Sequence, residues 1–255
     1  MSVPCGRCAA CLRNKQQDWL VRLKHEERYS NNAYFVTLTY NDQNLPLDGN
    51  GLAQLYKPDV QKFIKRLRKN TKVKFKYFCV GEYGETYGRP HYHLLIFNLG
   101  KDRNQVEKEI IKAWSKRSKI VKGERQMFGQ IDIGDVTDAS IAYCTKYIIQ
   151  KRKVPEFMEQ PFSLMSTKPA IGSDYLKKVQ NTDWHEIDNK FYIQFGASKF
   201  KMPEYYRNKL FTEADREQYA ALIESECTNR PKNNLSHQIE AKKRKLAIKN
   251  KKSKF

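Results

Sequence analysis

The sequence predicts an α+β fold, a central antiparallel or mixed β-sheet flanked by helices. Three features carry that expectation. Segments rich in β-branched and aromatic residues alternate with segments of helical periodicity, two strand-like segments are joined by a glycine-bearing turn, and no apolar run approaches the ~18–20 residues that span a membrane. MSVPCGRC also lacks the apolar core of a secretion signal, so a soluble chain that stays where it is made is expected.

Leu12 to about Ser30 reads as a helix, with Leu12, Gln16, Trp19, Leu20 and Leu23 along one side, and Asn31-Asn32 ends it. YFVTLTY (Tyr34 to Tyr40) is a strand, followed by the polar loop NDQNLPLDGNG. Pro58 and Asp59 open a second helix, in which Val60, Phe63, Ile64 and Leu67 form the apolar stripe. Strands at Lys74 to Glu82 and His91 to Asn98 flank the turn EYGETYGRP and should pair antiparallel. A helix from about Asn104 to Arg117 is expected next, then a strand in QMFGQIDIGDV, then a helix capped by Thr137 or Asp138 that runs to about Lys151. Beyond Pro155 the periodicity weakens to short helical stretches near Tyr205 to Lys209 and Thr212 to Glu226. The expected organisation is a Cys-rich segment and helix (1–30), a core (31–154), a C-terminal extension (155–228) and a basic tail (229–255).

Charge narrows the partner. Against 28 Asp and Glu stand 48 Lys and Arg, a net charge of +20. Residues 230–255 hold ten basic residues and one acid, but Val60 to Val80 hold eight basic residues and no acid inside folded structure. A solubilising surface normally mixes both signs, so a polyanion, most simply nucleic acid, is the expected partner. Lys62, Lys65, Arg66, Arg68 and Lys69, with the strand after them, would follow the DNA backbone, and Tyr77 and Tyr87 could stack on unpaired bases. No G-x-x-x-x-G-K-[ST] segment is present, so a built-in NTPase motor is not expected.

Two constellations carry chemistry. In GRPHYHLLIF, His91 and His93 are two apart on a strand and face the same side, a natural start for a divalent metal site. The turn would fold Glu82 back beside them as a third ligand. On the helix before Pro155, Tyr143 and Tyr147 lie one turn apart, with Lys146 and Lys151 around them. A tyrosine hydroxyl can attack a phosphodiester where a metal or cations stabilise the developing charge. Either pair alone is more simply an ordinary surface feature. Cys5, Cys8 and Cys11 form C-x-x-C-x-x-C, which could hold structural Zn²⁺, but no local fourth ligand is evident and reduced structural cysteines are the stronger reading.

Taken together, the H-Y-H pair, the upstream V-G-E, the FVTLTY strand and the Y-x-x-x-Y-x-x-x-K helix resemble the HUH endonuclease superfamily of rolling-circle replication initiators. More narrowly, PCGRCAAC, GEYGETYGRPHYHLLIF and FSLMSTKPAIGSDYL resemble the initiators of small circular single-stranded DNA phages, the microviruses of the gokushovirus type. That resemblance, from Pro4 to Lys209, implies an HUH fold, Mg²⁺ or Mn²⁺ on His91, His93 and Glu82, and Tyr143 and Tyr147 as nucleophiles. It also implies single-stranded origin DNA, a host helicase and a host polymerase as partners, and the host cytoplasm as the place of action. A lysine usually follows a catalytic tyrosine of that family by three positions. Lys146 fits Tyr143, whereas Gln150 stands after Tyr147 and Lys151 is the nearest substitute. The competing expectations are a plasmid initiator, relaxase or transposase with the same site, and a non-catalytic nucleic-acid-binding protein.

Overall fold

The strand signatures come together in one sheet. A computed structural model describes residues 5–84, 88–121, 124–149, 154–179 and 191–228. Its elements begin with α1 (Ala9–Arg28), β1 (Ala33–Leu38), α2 (Lys57–Thr71), β2 (Lys76–Tyr83), β3 (Pro90–Phe97) and α3 (Arg103–Ala113). There follow β4 (Ser115–Val121), β5 (Glu124–Met127), β6 (Ile131–Asp135), α4 (Asp138–Ile149), β7 (Phe162–Met165) and α5 (Ser173–Val179). The last are β8 (Tyr192–Phe195), β9 (Ser198–Lys201), α6 (Glu204–Leu210) and α7 (Glu213–Thr228). Five strands pair in the order β6-β1-β3-β2-β7, each neighbour antiparallel, so of the two expected sheet types the antiparallel one forms.

Period-two alternation divides the side chains of this sheet between two layers. Val36, Leu38, Cys79, Tyr92, Leu94 and Ile96 pack against the apolar stripes of α2 and α3, where Val60, Phe63, Leu67, Ile110 and Trp114 are buried. On the other face Phe78, Val80, Leu95 and Phe97 meet Leu23 of α1 and Ile141 and Cys144 of α4. The histidine-bearing positions of β3 belong to this second face.

The structure corrects three sequence expectations. The helix expected to reach Arg117 stops at Ala113, because Trp114 is drawn into the core with its indole N–H donating to the Thr39 carbonyl at 2.9 Å, and the chain continues as β4. QMFGQIDIGDV is not one strand. Gln126 and Met127 end β5 and Ile131 starts β6, with a turn at Gly129, where a Cβ would run into the Thr39 carbonyl.

The third correction concerns Lys76, counted above among the DNA-facing cations. Its side chain is buried, with Nζ 2.9 Å from Glu26 of α1 and 2.8 Å from Asp174 of α5. Glu26 also accepts the Gly172 N–H at 2.7 Å, and Arg22 donates to the Ile171 carbonyl at 3.0 Å. Gly172 has φ +79 and no room for a Cβ beside the Tyr206 hydroxyl. The KPAIGSDYL segment is thus a lock that ties α1, β2 and the chain after β7 together. Breaking one partner of such a buried pair typically costs ~3–5 kcal/mol.

The chain divides into two units, Met1–Tyr206 and Arg207–Phe255. In the second, Thr212 and Asp215 cap α7 reciprocally: the Thr212 N–H donates to Asp215 at 2.8 Å and the Asp215 N–H to Thr212 Oγ1 at 3.3 Å. Among the described residues no helix is long and apolar enough to cross a membrane.

Candidate active site

Antiparallel register brings the first three residues together. Glu82 on β2 is the direct partner of His91 on β3, and His93 lies between Val80 of β2 and Thr37 of β1. Glu82 Oε1 lies 3.0 Å from His91 Nε2 and 2.9 Å from His93 Nε2, and the two imidazole rings stand nearly perpendicular, 5.0 Å apart. Glu82 and His93 are buried and His91 is half-buried.

What lies behind the histidines decides what they can bind. His91 Nδ1 donates to the Arg89 carbonyl at 3.1 Å, and a carbonyl only accepts, so this nitrogen carries the proton and a neutral imidazole turns a bare Nε2 lone pair toward Glu82. His93 Nδ1 is paired with Thr37 Oγ1 at 3.1 Å, and Phe35 stacks on its ring at 5.6 Å. Two Nε2 atoms and a carboxylate oxygen facing one another repel unless a proton or a cation lies among them. The three donor atoms lie within 4.8 Å of one another, and their oxygen and imidazole chemistry suits a divalent ion, so the set fits the Mg²⁺ or Mn²⁺ expected for it.

Helix α4 lays the tyrosines over this set. Its Ile141 and Cys144 are buried against the sheet, while Lys24 of α1 pairs with Asp138 at 2.9 Å. That docking turns the opposite side of α4 toward β2 and β3. The Tyr143 hydroxyl donates to Glu82 Oε1 at 2.9 Å and lies 3.4 Å from His93 Nε2, with its ring edge-on to His93 at 5.0 Å. Tyr147 follows one turn later, its ring 5.1 Å from Tyr143.

Electrostatics follow from burial and from the shared carboxylate. Burial disfavours charge on Glu82, but hydrogen bonds from His91, His93, Tyr147 and Tyr143 outweigh it and hold the carboxyl well below the usual range. Burial pushes the Tyr143 phenol up to about 12, aided by the Glu82 charge and opposed by a hydrogen bond from Tyr147. Tyr147 is pushed well above its ordinary value, first by burial and then by its bonds to Glu82 and Tyr143. Both phenols are therefore neutral at physiological pH.

The other expected residues are distributed differently. Lys146 is exposed on α4, three residues after Tyr143, whereas Lys151, Gln150, Tyr87 and the tail 229–255 lie outside the described residues. Lys62, Lys65, Arg66, Arg68 and Lys69 sit on α2, whose buried stripe packs on the face of the sheet opposite His91 and His93. They are not brought together with the tyrosines. Arg66 donates to the Ala113 carbonyl at 2.6 Å, and the Arg68 guanidinium lies over the Phe75 and Tyr77 rings. Tyr77 packs against the core of that layer. Cys5, Cys8 and Cys11 do converge, and the amides of Arg7 and Cys8 bring the Cys5 thiol down to about 7.

Thr37, Arg89 and Phe35 support the site without any sequence pattern that marks them. Beside His91 a cleft of ≈ 470 Å³ is lined by Thr39, Asn41, Asp42, Arg89 and Gln130 among others. Arg89 is fixed there by Asp42 at 2.7 Å and the Tyr40 carbonyl at 3.0 Å.

Residues 33–152 match the protein family of the Replication-associated protein ORF2. The chain is 29% identical over 230 residues to Replication-associated protein ORF2 of Spiroplasma virus 4, covering 87% of this chain and 72% of that protein. It is 28% identical over 220 residues to Replication-associated protein VP4 of Bdellovibrio phage phiMH2K, covering 80% of this chain and 66% of that protein. With Replication-associated protein ORF4 of Chlamydia phage 1 it shares 25% identity over 244 residues, covering 86% of this chain and 58% of that protein.

Proposed function

The chain belongs to the replication-associated proteins of phages, and from that premise we propose that it initiates rolling-circle replication as an HUH-type endonuclease, cutting origin DNA with Tyr143. The observation that carries the reading is the Tyr143 hydroxyl, 2.9 Å from Glu82 and 3.4 Å from His93, so that a nucleophile abuts a metal-binding set. Held by Glu82, His91 and His93, Mg²⁺ or Mn²⁺ would supply Lewis-acid charge against a phosphodiester.

The chain's own residues do the rest. Glu82, held low by its donors, is a poor base and a good acceptor, and it aims the phenol. As the Tyr143 oxygen bonds to phosphorus, its proton leaves to solvent, the bond from phosphorus to the 3′-oxygen breaks, and that oxygen takes up a proton as a 3′-OH primer. The product is a 5′-phosphotyrosine ester, which keeps the energy of the phosphodiester, so rejoining needs no ATP. Tyr147, one turn away, would cut the regenerated origin after one circuit. The freed 3′-OH would then attack the first ester and close a single-stranded circle. Lys146 and Lys151 would neutralise charge around the phosphate, and Arg89 in the cleft beside His91 would meet the adjoining backbone.

Unwinding and synthesis would fall to a helicase and polymerase of the host cell, in whose cytoplasm the protein would act. Incubation with Mn²⁺ and origin-like single-stranded DNA should give an adduct that survives SDS. Tyr143→Phe should remove most of it, and Tyr143→Phe with Tyr147→Phe all of it. Full adduct formation by the double variant refutes the proposal, and a protein that only binds DNA gives no adduct at all.

A further inference from the structure

A second metal-ligating cluster lies at the start of α1, outside the chemistry above. Cys5, Cys8 and Cys11 are free thiols whose sulfurs lie within 4.8 Å of one another, with Cys5 Sγ 3.9 Å from Cys11 Sγ. A disulfide would need about 2.05 Å. Tetrahedral zinc with Zn–S bonds of about 2.3 Å sets its sulfurs about 3.8 Å apart, which is the spacing found. An iron–sulfur cluster, whose cysteines bind different irons, demands a wider triangle.

The backbone is arranged to suit. Gly6, at φ +71, turns the chain back so that the amides of Arg7 and Cys8 point at Cys5 Sγ, the latter at 3.3 Å. Such N–H donors stabilise a thiolate. Cys8 is the N-cap of the 20-residue α1, yet its side chain makes no capping hydrogen bond, and Cys11 lies in the first turn. The positive end of the helix favours negative sulfur at both positions. Cys5 and Cys8 are exposed, so a fourth ligand can come from solvent.

We propose that Cys5, Cys8 and Cys11 hold one Zn²⁺ as a three-thiolate clip that fastens the lead-in of α1 to its first turn. The missing fourth protein ligand, which favoured reduced cysteines on sequence grounds, is not needed for such a clip.

The test uses the full chain carrying His91→Ala and His93→Ala, so that the Glu82 set contributes no metal. Co²⁺ should then give thiolate-to-metal charge-transfer absorption with the visible bands of tetrahedral cobalt, zinc should abolish both, and metal analysis should find one zinc per chain. Adding Cys5→Ser or Cys11→Ser should remove the absorption and the zinc, whereas Cys79→Ala should leave both. In the unmutated protein, zinc should slow alkylation of Cys5, Cys8 and Cys11 by at least about tenfold, and a chelator should restore it. Absence of the charge-transfer band with the triplet intact, or equal alkylation with and without zinc, overturns the proposal.

Discussion

Thr37→Val isolates the second layer of the histidine site. Valine keeps the β-branched shape that suits β1 and removes only the oxygen lying 3.1 Å from His93 Nδ1. Such outer partners typically account for ~10–100-fold in metal affinity, or ~1.4–2.7 kcal/mol at ~1.4 kcal/mol per tenfold. The lower end is expected, because Phe35 still stacks on the His93 ring at 5.6 Å and His91 keeps its Arg89 carbonyl. Titration calorimetry with Mn²⁺ on the full chain reads the change, since a hard cation leaves the cysteine triplet alone. Thr39→Val is the control, for Thr39 Oγ1 bonds the Gln130 carbonyl at 3.0 Å. It should bind Mn²⁺ like the unmodified protein. If Thr37→Val binds within about twofold of it as well, with equal stability in urea, the hydroxyl does not orient His93 and the reasoning fails.

The remaining predictions test the lock, the scaffold and the charge. Lys76→Met should cost ~3–5 kcal/mol in urea unfolding, because Glu26 is left buried without its cation, and adding Glu26→Leu should recover much of the loss; a loss under ~1 kcal/mol would show the cluster to be idle. Tyr92→Phe keeps the ring but leaves the Tyr56 N–H and the Tyr40 hydroxyl without a partner, for ~1–3 kcal/mol of stability, and it should change Mn²⁺ affinity less than Thr37→Val does. Replacing Lys62, Lys65 and Lys69 by Gln should weaken single-strand binding and flatten its salt dependence, while leaving the adduct yield at saturating DNA unchanged. Deleting residues 230–255 should act in the same way, and loss of chemistry at saturation would place the tail in the catalytic machinery.

Much of the site was legible because its chemistry repeats at the period of its element. His91 and His93 are two apart on a strand, Tyr143 and Tyr147 are four apart on a helix, and the hairpin turn set Glu82 opposite His91. Contacts made across the sheet left no such trace. The stripe of α2 told which side of the helix is buried, but no period tells which face of the sheet receives it, so its cations were expected beside the tyrosines and lie across the sheet from them. Lys76 continues a basic run in sequence, and only Glu26 and Asp174, 50 and 98 residues away, make it an interior residue. Helical propensity runs on through Ser115, yet burial of Trp114 ends α3 first. Thr37 and Arg89 act through one hydrogen bond each to a histidine, which no composition or spacing reports.

The residue between the histidines explains why the pair can be so exact. Alternation on β3 turns His91 and His93 to one face and Tyr92 to the other, where it is fully buried against Trp114 and Phe162. Its hydroxyl bonds Tyr40 at 3.1 Å and the Tyr56 N–H at 2.9 Å, which ties the strand to the end of β1 and the entry of α2. A strand anchored on one face at the residue between two ligands cannot slide or roll without breaking those bonds. The layer of α2 and α3 therefore sets the histidine geometry, and the layer of α1 and α4 sets where Tyr143 meets it. Each layer can be perturbed separately, so a change on α4 should move the nucleophile and leave Mn²⁺ binding intact, whereas a change beneath Tyr92 should act first on the stability that holds the ligands.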